Sequence, residues 1–151
     1  MQNDRIVGSA LIGQTVNNPA YFQSRPSAVG YMQGSTPGSL ISSGATNYAW
    51  TSAALAEDVV ERAAAFRSAN GLSGSASVPA DLLFASASGL DPHISPEAAA
   101  LQVDRVAQAR ALNPEQVREI VERHTDGPQL GIFGQPRVNV LLLNLALDAL
   151  Q

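Results

Sequence analysis

At 151 residues and 15.8 kDa, with 45% apolar and 15% charged residues, the chain has the size and composition of one folded domain, neither disordered nor membrane-like. A formal charge of -4 and a pI near 5.0 leave no electrostatic footprint for nucleic acid. All nine cationic side chains are Arg, which removes P-loop, Schiff-base and Ser-x-x-Lys chemistry, and the absence of Cys removes thiol catalysis, disulfides and thiolate metal sites.

From Ile6 to Ile12 the residues IVGSALI predict a short strand, with Gly8 and Gly13 marking a bulge or close backbone approach. Asn17, Asn18 and Pro19 predict a turn, followed by an extended segment bearing Tyr21, Phe22 and Arg25-Pro26. The Gly, Ser, Thr and Pro of Gly30 to Asn47 predict a long loop. A helix is expected from about Ser52 to Ala69, with Leu55, Val59, Ala63 and Phe66 on one face, an Asp58–Arg62 pair, and Asn70-Gly71 as its stop. Gly71 to Ser77 reads as a hinge; its Leu72-Ser73-Gly74-Ser75 faintly matches a transporter ATPase signature, but a linker is the plainer identity. Pro79 then opens a short helix through Leu82, Leu83 and Phe84.

Ser95-Pro96-Glu97 supplies an N-cap, a first-turn Pro and an acid for a helix expected to run to about Arg110, with core stripe Ala99, Val103 and Val106. Asn113-Pro114-Glu115-Gln116 repeats the device for a helix through Val117, Ile120 and Val121 to His124, ended by Asp126-Gly127-Pro128. Leu130 to Phe133 predicts a strand, Gly134-Gln135-Pro136 a turn, Arg137 to Asn139 an extended piece, and Val140 to Gln151 a last helix. Only Asn144, Asp148 and Gln151 form a polar stripe on that helix, so most of its circumference is expected to be covered. The fold class is α+β: one compact domain, a small sheet of N-terminal and C-terminal strands packed with about five helices.

The loop between the two central helical stretches, Ser86 to His93, is a pinned loop. Gly89 is suited to positive φ, Asp91 to bonding its own downstream backbone, and Pro92 fixes the next φ. Ser86, Ser88, Asp91 and His93 are the residue types of a hydrolase, and a free-standing serine hydrolase using Ser86 or Ser88 with His93 is the alternative reading. The missing Gly-x-Ser-x-Gly elbow favours turns and caps instead. His93 and His124 lie on separate elements with no metal-binding spacing, and His124 suits a helix C-terminus. Tyr21, Phe22 and Arg25 combine aromatic anchors with a forked donor before a long loop, so they are expected to face a partner, and Arg25 to be dispensable for folding; Gln135 and Arg137 are assigned the same contact role.

Five blocks carry a resemblance: GSALIGQ at Gly8 to Gln14, YFQSRPSA at Tyr21 to Ala28, SVPADL at Ser77 to Leu82, ASASGLDPHISPEAA at Ala85 to Ala99, and GQPRVNVLLLNLALD at Gly134 to Asp148. In these the chain resembles the KdpC family, the C subunit of the Kdp potassium-transporting ATPase. It departs at Ala45-Thr46, where the family tends to have Gly-Ser, and at Leu142, where it usually has Glu. The resemblance implies a noncatalytic accessory subunit that binds no cofactor by itself, ATP and potassium being handled by the other chains of the complex. It further implies a catalytic chaperone that raises the ATP affinity of the hydrolysing subunit, and a domain outside the cytoplasm, tethered to the cell membrane by one N-terminal spanning helix. The run Val138 to Leu147 falls short of the roughly 20 residues a span needs, so that helix is expected upstream of Met1.

Overall fold

The computed structural model of the chain describes residues 8–31 and 42–150. In order it forms α1 (Ala53–Ala69), α2 (Ala80–Leu83), β1 (His93–Ile94), α3 (Pro96–Ala100), α4 (Val103–Arg110), α5 (Pro114–Arg123), β2 (Thr125–Asp126), β3 (Arg137–Asn139) and α6 (Val140–Asp148). The three strands make one antiparallel sheet with β3 in the centre, pairing His93 with Asn139 and Ile94 with Val138 on one side, Thr125 with Val138 and Asp126 with Arg137 on the other. Helices and sheet share a core in which Val103, Val106, Val117, Val138, Leu143 and Leu147 are fully buried. This is an α+β domain.

Local chemistry sets most boundaries. Ser52, Ser95 and Asn113 cap α1, α3 and α5 with their side-chain oxygens, and Gln116 completes a capping box at α5. Asn139 ends the central strand and caps α6 in the same step, its Oδ1 accepting from Leu142 N–H at 3.1 Å. Helix α1 stops where Asn70 bonds Phe66 O and Gly71 takes φ +64°. The Asp58–Arg62 pair forms at 2.7 Å, and Arg62 also donates to Leu83 O at 2.8 Å, tying α1 to α2.

Five expectations are corrected. Among the described residues, 8–12 form a turn rather than a strand, while Ile6 and Val7 lie outside them; the sheet therefore draws its strands from the middle and the C-terminal part of the chain. The helix expected to Arg110 is interrupted at Leu101-Gln102, where Gln102 N–H reaches back only to Ala99 O. After α5, Thr125 and Asp126 enter the sheet, so the chain is already extended before Gly127-Pro128. Leu130 to Phe133 is the tip of a hairpin, with Leu130 at φ +53° and Gly131 at +75°. The stripe on α6 points inward: Asn144 is buried and Asp148 pairs with Arg110, whereas Leu142 and Leu150 are exposed. Gln151, and residues 32–41 of the long loop, lie outside the described residues.

Candidate functional site

The described N-terminal segment crosses the domain as a strap, and its backbone is held almost entirely by side chains. Asn18 opens it with a turn, its Oδ1 accepting from Ala20 N–H at 2.9 Å. Phe22 then inserts its fully buried ring into the core. Asn144 on α6 bonds both backbone groups of Phe22, Oδ1 accepting the N–H at 2.8 Å and Nδ2 donating to the C=O at 3.0 Å. Gln102 does the same for Gln23, at 2.8 and 3.3 Å. Two buried amides thus stand where sheet neighbours would otherwise satisfy the strap. This explains the break before α4: Gln102 must turn its side chain toward the strap while also donating to Ala98 O.

Two arginines complete the clamp. Arg105 donates to Pro19 O, Tyr21 O, Gln102 Oε1 and Asn70 Oδ1, and burial pulls its pKa below the ordinary guanidinium value. Arg110 donates to Ala20 O at 2.6 Å, pairs with Asp148 at 2.7 Å, and lies 4.5 Å from the centre of the Tyr21 ring. Between strap and α6 lies an open cleft of about 330 Å³, lined by residues 14–18, Tyr21, Ser24 and the aliphatic face of Leu141 and Leu145.

Past the strap, the central loop accepts contacts from three pieces of chain. Ser27 Oγ donates to Gly89 O at 2.6 Å, Gly44 N–H to Ser88 O at 2.9 Å, and Gly13 N–H to Leu90 O at 2.8 Å. Tyr31 bridges Arg25 O and Asp91 O through its hydroxyl, at 2.8 and 3.1 Å. Burial, and then the Asp91 charge, push that phenol up to about 12. Asp91 is the centre. Its Oδ2 meets Arg25 Nη1 at 2.7 Å, and its Oδ1 accepts from His93 N–H at 3.0 Å with His93 Nδ1 at 3.2 Å. Burial alone would raise the carboxyl, but the His93 N–H and the Arg25 guanidinium outweigh it and hold it below the usual value. Gly89 has φ +68°, and a Cβ there would lie 2.5 Å from Gly44 O.

The residues singled out in the sequence therefore fall into five places. Phe22 is core, so its assignment as a partner contact is corrected: a ring with no accessible surface offers nothing to another chain. Arg25 and Tyr21 are half-buried and engaged within the domain, Arg25 on Asp91 and Phe84 O, Tyr21 under Arg110; neither is the detached surface side chain expected. Ser86, Ser88, Gly89, Asp91 and His93 do converge in one loop, but not as a hydrolytic set. The serine hydroxyls face each other at 3.5 Å, Ser88 Oγ accepts from Leu90 N–H, and among the described residues no hydrogen bond joins either serine to His93. His124 caps α5, its Nδ1 donating to Ile120 O at 2.9 Å. Gln135 and Arg137 lie at the foot of the hairpin between β2 and β3, and no sequence signal drew attention to the apolar tip above them.

The polar clusters of this domain brace its own chain, and its largest exposed apolar side chains cluster on a projecting turn and a few isolated surface positions. That arrangement is one of a small α+β domain whose polar side chains hold its own backbone in place. The chain belongs to the KdpC family, described as the K+-transporting ATPase c chain, whose model matches residues 1–149. It is 52% identical over 150 residues to the potassium-transporting ATPase KdpC subunit of Burkholderia orbicola (strain MC0-3), covering 99% of this chain and 75% of that one. The protein of the same name from Nitratidesulfovibrio vulgaris is 51% identical over 150 residues (99% and 74%), and that from Synechocystis sp. 50% over 145 residues (95% and 73%). The chain is thus a subunit of a potassium-transporting ATPase, a membrane complex, although no helix among the described residues is long and apolar enough to cross a membrane.

Proposed function

We propose that this chain is a noncatalytic accessory subunit that stabilises the pump and acts as a catalytic chaperone, raising the ATP affinity of the hydrolysing chain while other chains carry potassium and ATP. The observation that supports this reading is how the central loop is used. Neither Ser86 nor Ser88, the nucleophiles a hydrolase would need, is hydrogen-bonded to His93 among the described residues: the two hydroxyls face each other at 3.5 Å, and Ser88 Oγ accepts from Leu90 N–H at 3.1 Å. The family resemblance further supports a domain outside the cytoplasm, attached through one N-terminal spanning helix. On that arrangement ATP is never touched, and the effect on its affinity is allosteric: the domain contacts the pump's conformations unequally, and a coupling of about 1–3 kcal/mol corresponds to roughly 5–150-fold.

The test measures ATPase rate against ATP concentration for the pump assembled with and without this chain. The expected result is a lower KM for ATP with the chain present and a similar kcat. Identical ATP dependence in the two preparations would overturn the chaperone role, and hydrolysis of an acyl ester by the chain alone, lost in Ser88→Ala, would restore the hydrolase.

A further inference from the structure

The strap and the segment before it form a hairpin that does not close. Residues 13–18 and 22–27 each run without turn or bend, and the turn between them is pinned by Tyr21 N–H donating to Asn18 O at 3.1 Å. Two extended arms joined by so short a turn ordinarily exchange backbone hydrogen bonds. Here, among the described residues, no backbone bond crosses from one arm to the other. The backbone N–H groups of Thr15, Val16, Asn17 and Ser24 have no acceptor among the described residues, although Val16 and Ser24 are half-buried.

Two clefts lie against these arms. The one beside α6, of about 330 Å³, and a second of about 410 Å³ that runs along residues 23–27 to Tyr31 share residues 14–17 and Ser24 as walls. Successive residues of an extended chain offer their backbone groups to opposite edges. Ser24 therefore faces the same way as Phe22, whose N–H and C=O are both held by the Asn144 amide, and Asn144 and Ser24 line the cleft beside α6 together. The Asn144 amide serves Phe22 as a neighbouring peptide group would, giving one acceptor and one donor. Ser24 has no such partner, and the group that continues the pattern is another peptide unit about 7 Å further along. Electrostatics narrow the occupant. Asp148 stands on the wall of the cleft beside α6, and of its pair with Arg110 the carboxylate is the more exposed member, 18% against 3%. An acidic segment is repelled there, and a basic one is attracted.

We propose that this open hairpin receives an extended, neutral or basic segment of another protein chain of the pump, which pairs through its main chain with Ser24 and with the arm at residues 15–17, as an added strand. Its side chains on one face rest on Leu141 and Leu145, which line the same cleft. Backbone donors and acceptors repeated at strand spacing select a peptide, because neither a lipid nor a compact small molecule carries that repeat. The inference rests on the accessory-subunit reading above.

The experiment titrates isotope-labelled chain with synthetic peptides tiled over the parts of the pump's other chains that lie outside the membrane, following backbone amide NMR signals. A neutral or basic tile is expected to shift the amides of Val16 and Ser24 and to slow their hydrogen exchange. N-methylation of alternate residues deletes backbone donors and leaves the side chains of the tile in place. In one of its two alternating registers it should weaken binding by roughly tenfold, the loss of one or two hydrogen bonds. Val16→Pro removes a donor from a wall that is already extended, and should weaken the unmodified tile several-fold with an unchanged melting midpoint. A tile that binds equally well in both N-methylated registers would overturn main-chain pairing. Shifts confined to other surfaces, or no binding tile at all, would overturn the site. Val16 and Ser24 amides already protected in the chain alone, and released when residues 1–7 are removed, would show that the chain fills its own cleft and would equally overturn the proposal. The subunit reading is tested apart from these outcomes, by adding wild-type chain to detergent-solubilised pump that lacks it; failure to bind there would bring down that reading itself.

Discussion

Replacing Asn144 with Leu tests whether the strap is held by the buried amides or by Phe22 alone. The two side chains are similar in size, so the change removes two hydrogen bonds, at 2.8 and 3.0 Å, while leaving little cavity. Phe22 N–H and C=O are then left buried without partners, at about 1–3 kcal/mol each. The more apolar Leu recovers about 1 kcal/mol. The expected loss is therefore about 1–5 kcal/mol, or a midpoint roughly 2–20 °C lower for a domain of this size. Urea denaturation should show a lower midpoint with an unchanged m value, since the surface exposed on unfolding is the same. Hydrogen exchange at the Phe22 amide, protected in the wild type, should accelerate in the variant. A loss below about 1 kcal/mol with the Phe22 amide still protected would refute the clamp and show that burial of the ring is sufficient.

Two further changes probe the central loop. Gly89→Val combines a positive φ with a Cβ meeting Gly44 O and the Val29 side chain, and should cost about 3 kcal/mol or more by chemical denaturation; an unaltered midpoint would mean that the loop relocates freely. Asp91→Asn addresses pH. Because the folded carboxyl titrates below its usual value, its contribution is present above the unfolded pKa near 4 and is lost as pH falls through the lower folded one. The variant should thus be less stable than wild type at pH 7 and approach it near pH 2, as read from melting midpoints across that range; a gap independent of pH would assign the effect to packing.

What the sequence made legible was whatever is decided within a few residues. The caps at Ser95 and Asn113, the stop at Asn70-Gly71 and the Asp58–Arg62 pair follow from side chains reaching their own or the next turn. The strap was opaque because its partners are remote: Asn144 lies 122 residues from Phe22, and Gln102 79 from Gln23. A buried amide whose partner is distant backbone is indistinguishable in sequence from a solvent-facing one, so the polar stripe of α6 was assigned to the wrong side. Tyr21, Phe22 and Arg25 drew attention by composition, but aromatic rings and a forked donor serve internal contacts as well as an interface, and sequence could not tell that the Phe22 ring is wholly core. In the hairpin, four apolar-looking positions suggested a strand, but Gly131 and Gly134 at positive φ close the chain into a tip.

The clamp also has a mechanical meaning. Residues 19–23 are gripped at five successive carbonyls, by Arg105 and Arg110 of α4, Gln102 just before it and Asn144 of α6. Tension applied to the chain ahead of Pro19 is shared among these bonds as shear, because they cross the backbone instead of lying along it. They must fail nearly together, unlike a hairpin peeled open one rung at a time. Force entering from the N-terminal side is therefore delivered to α4 and α6, and through α6 to the central strand it continues. A displacement there reaches the sheet without first unfolding the strap.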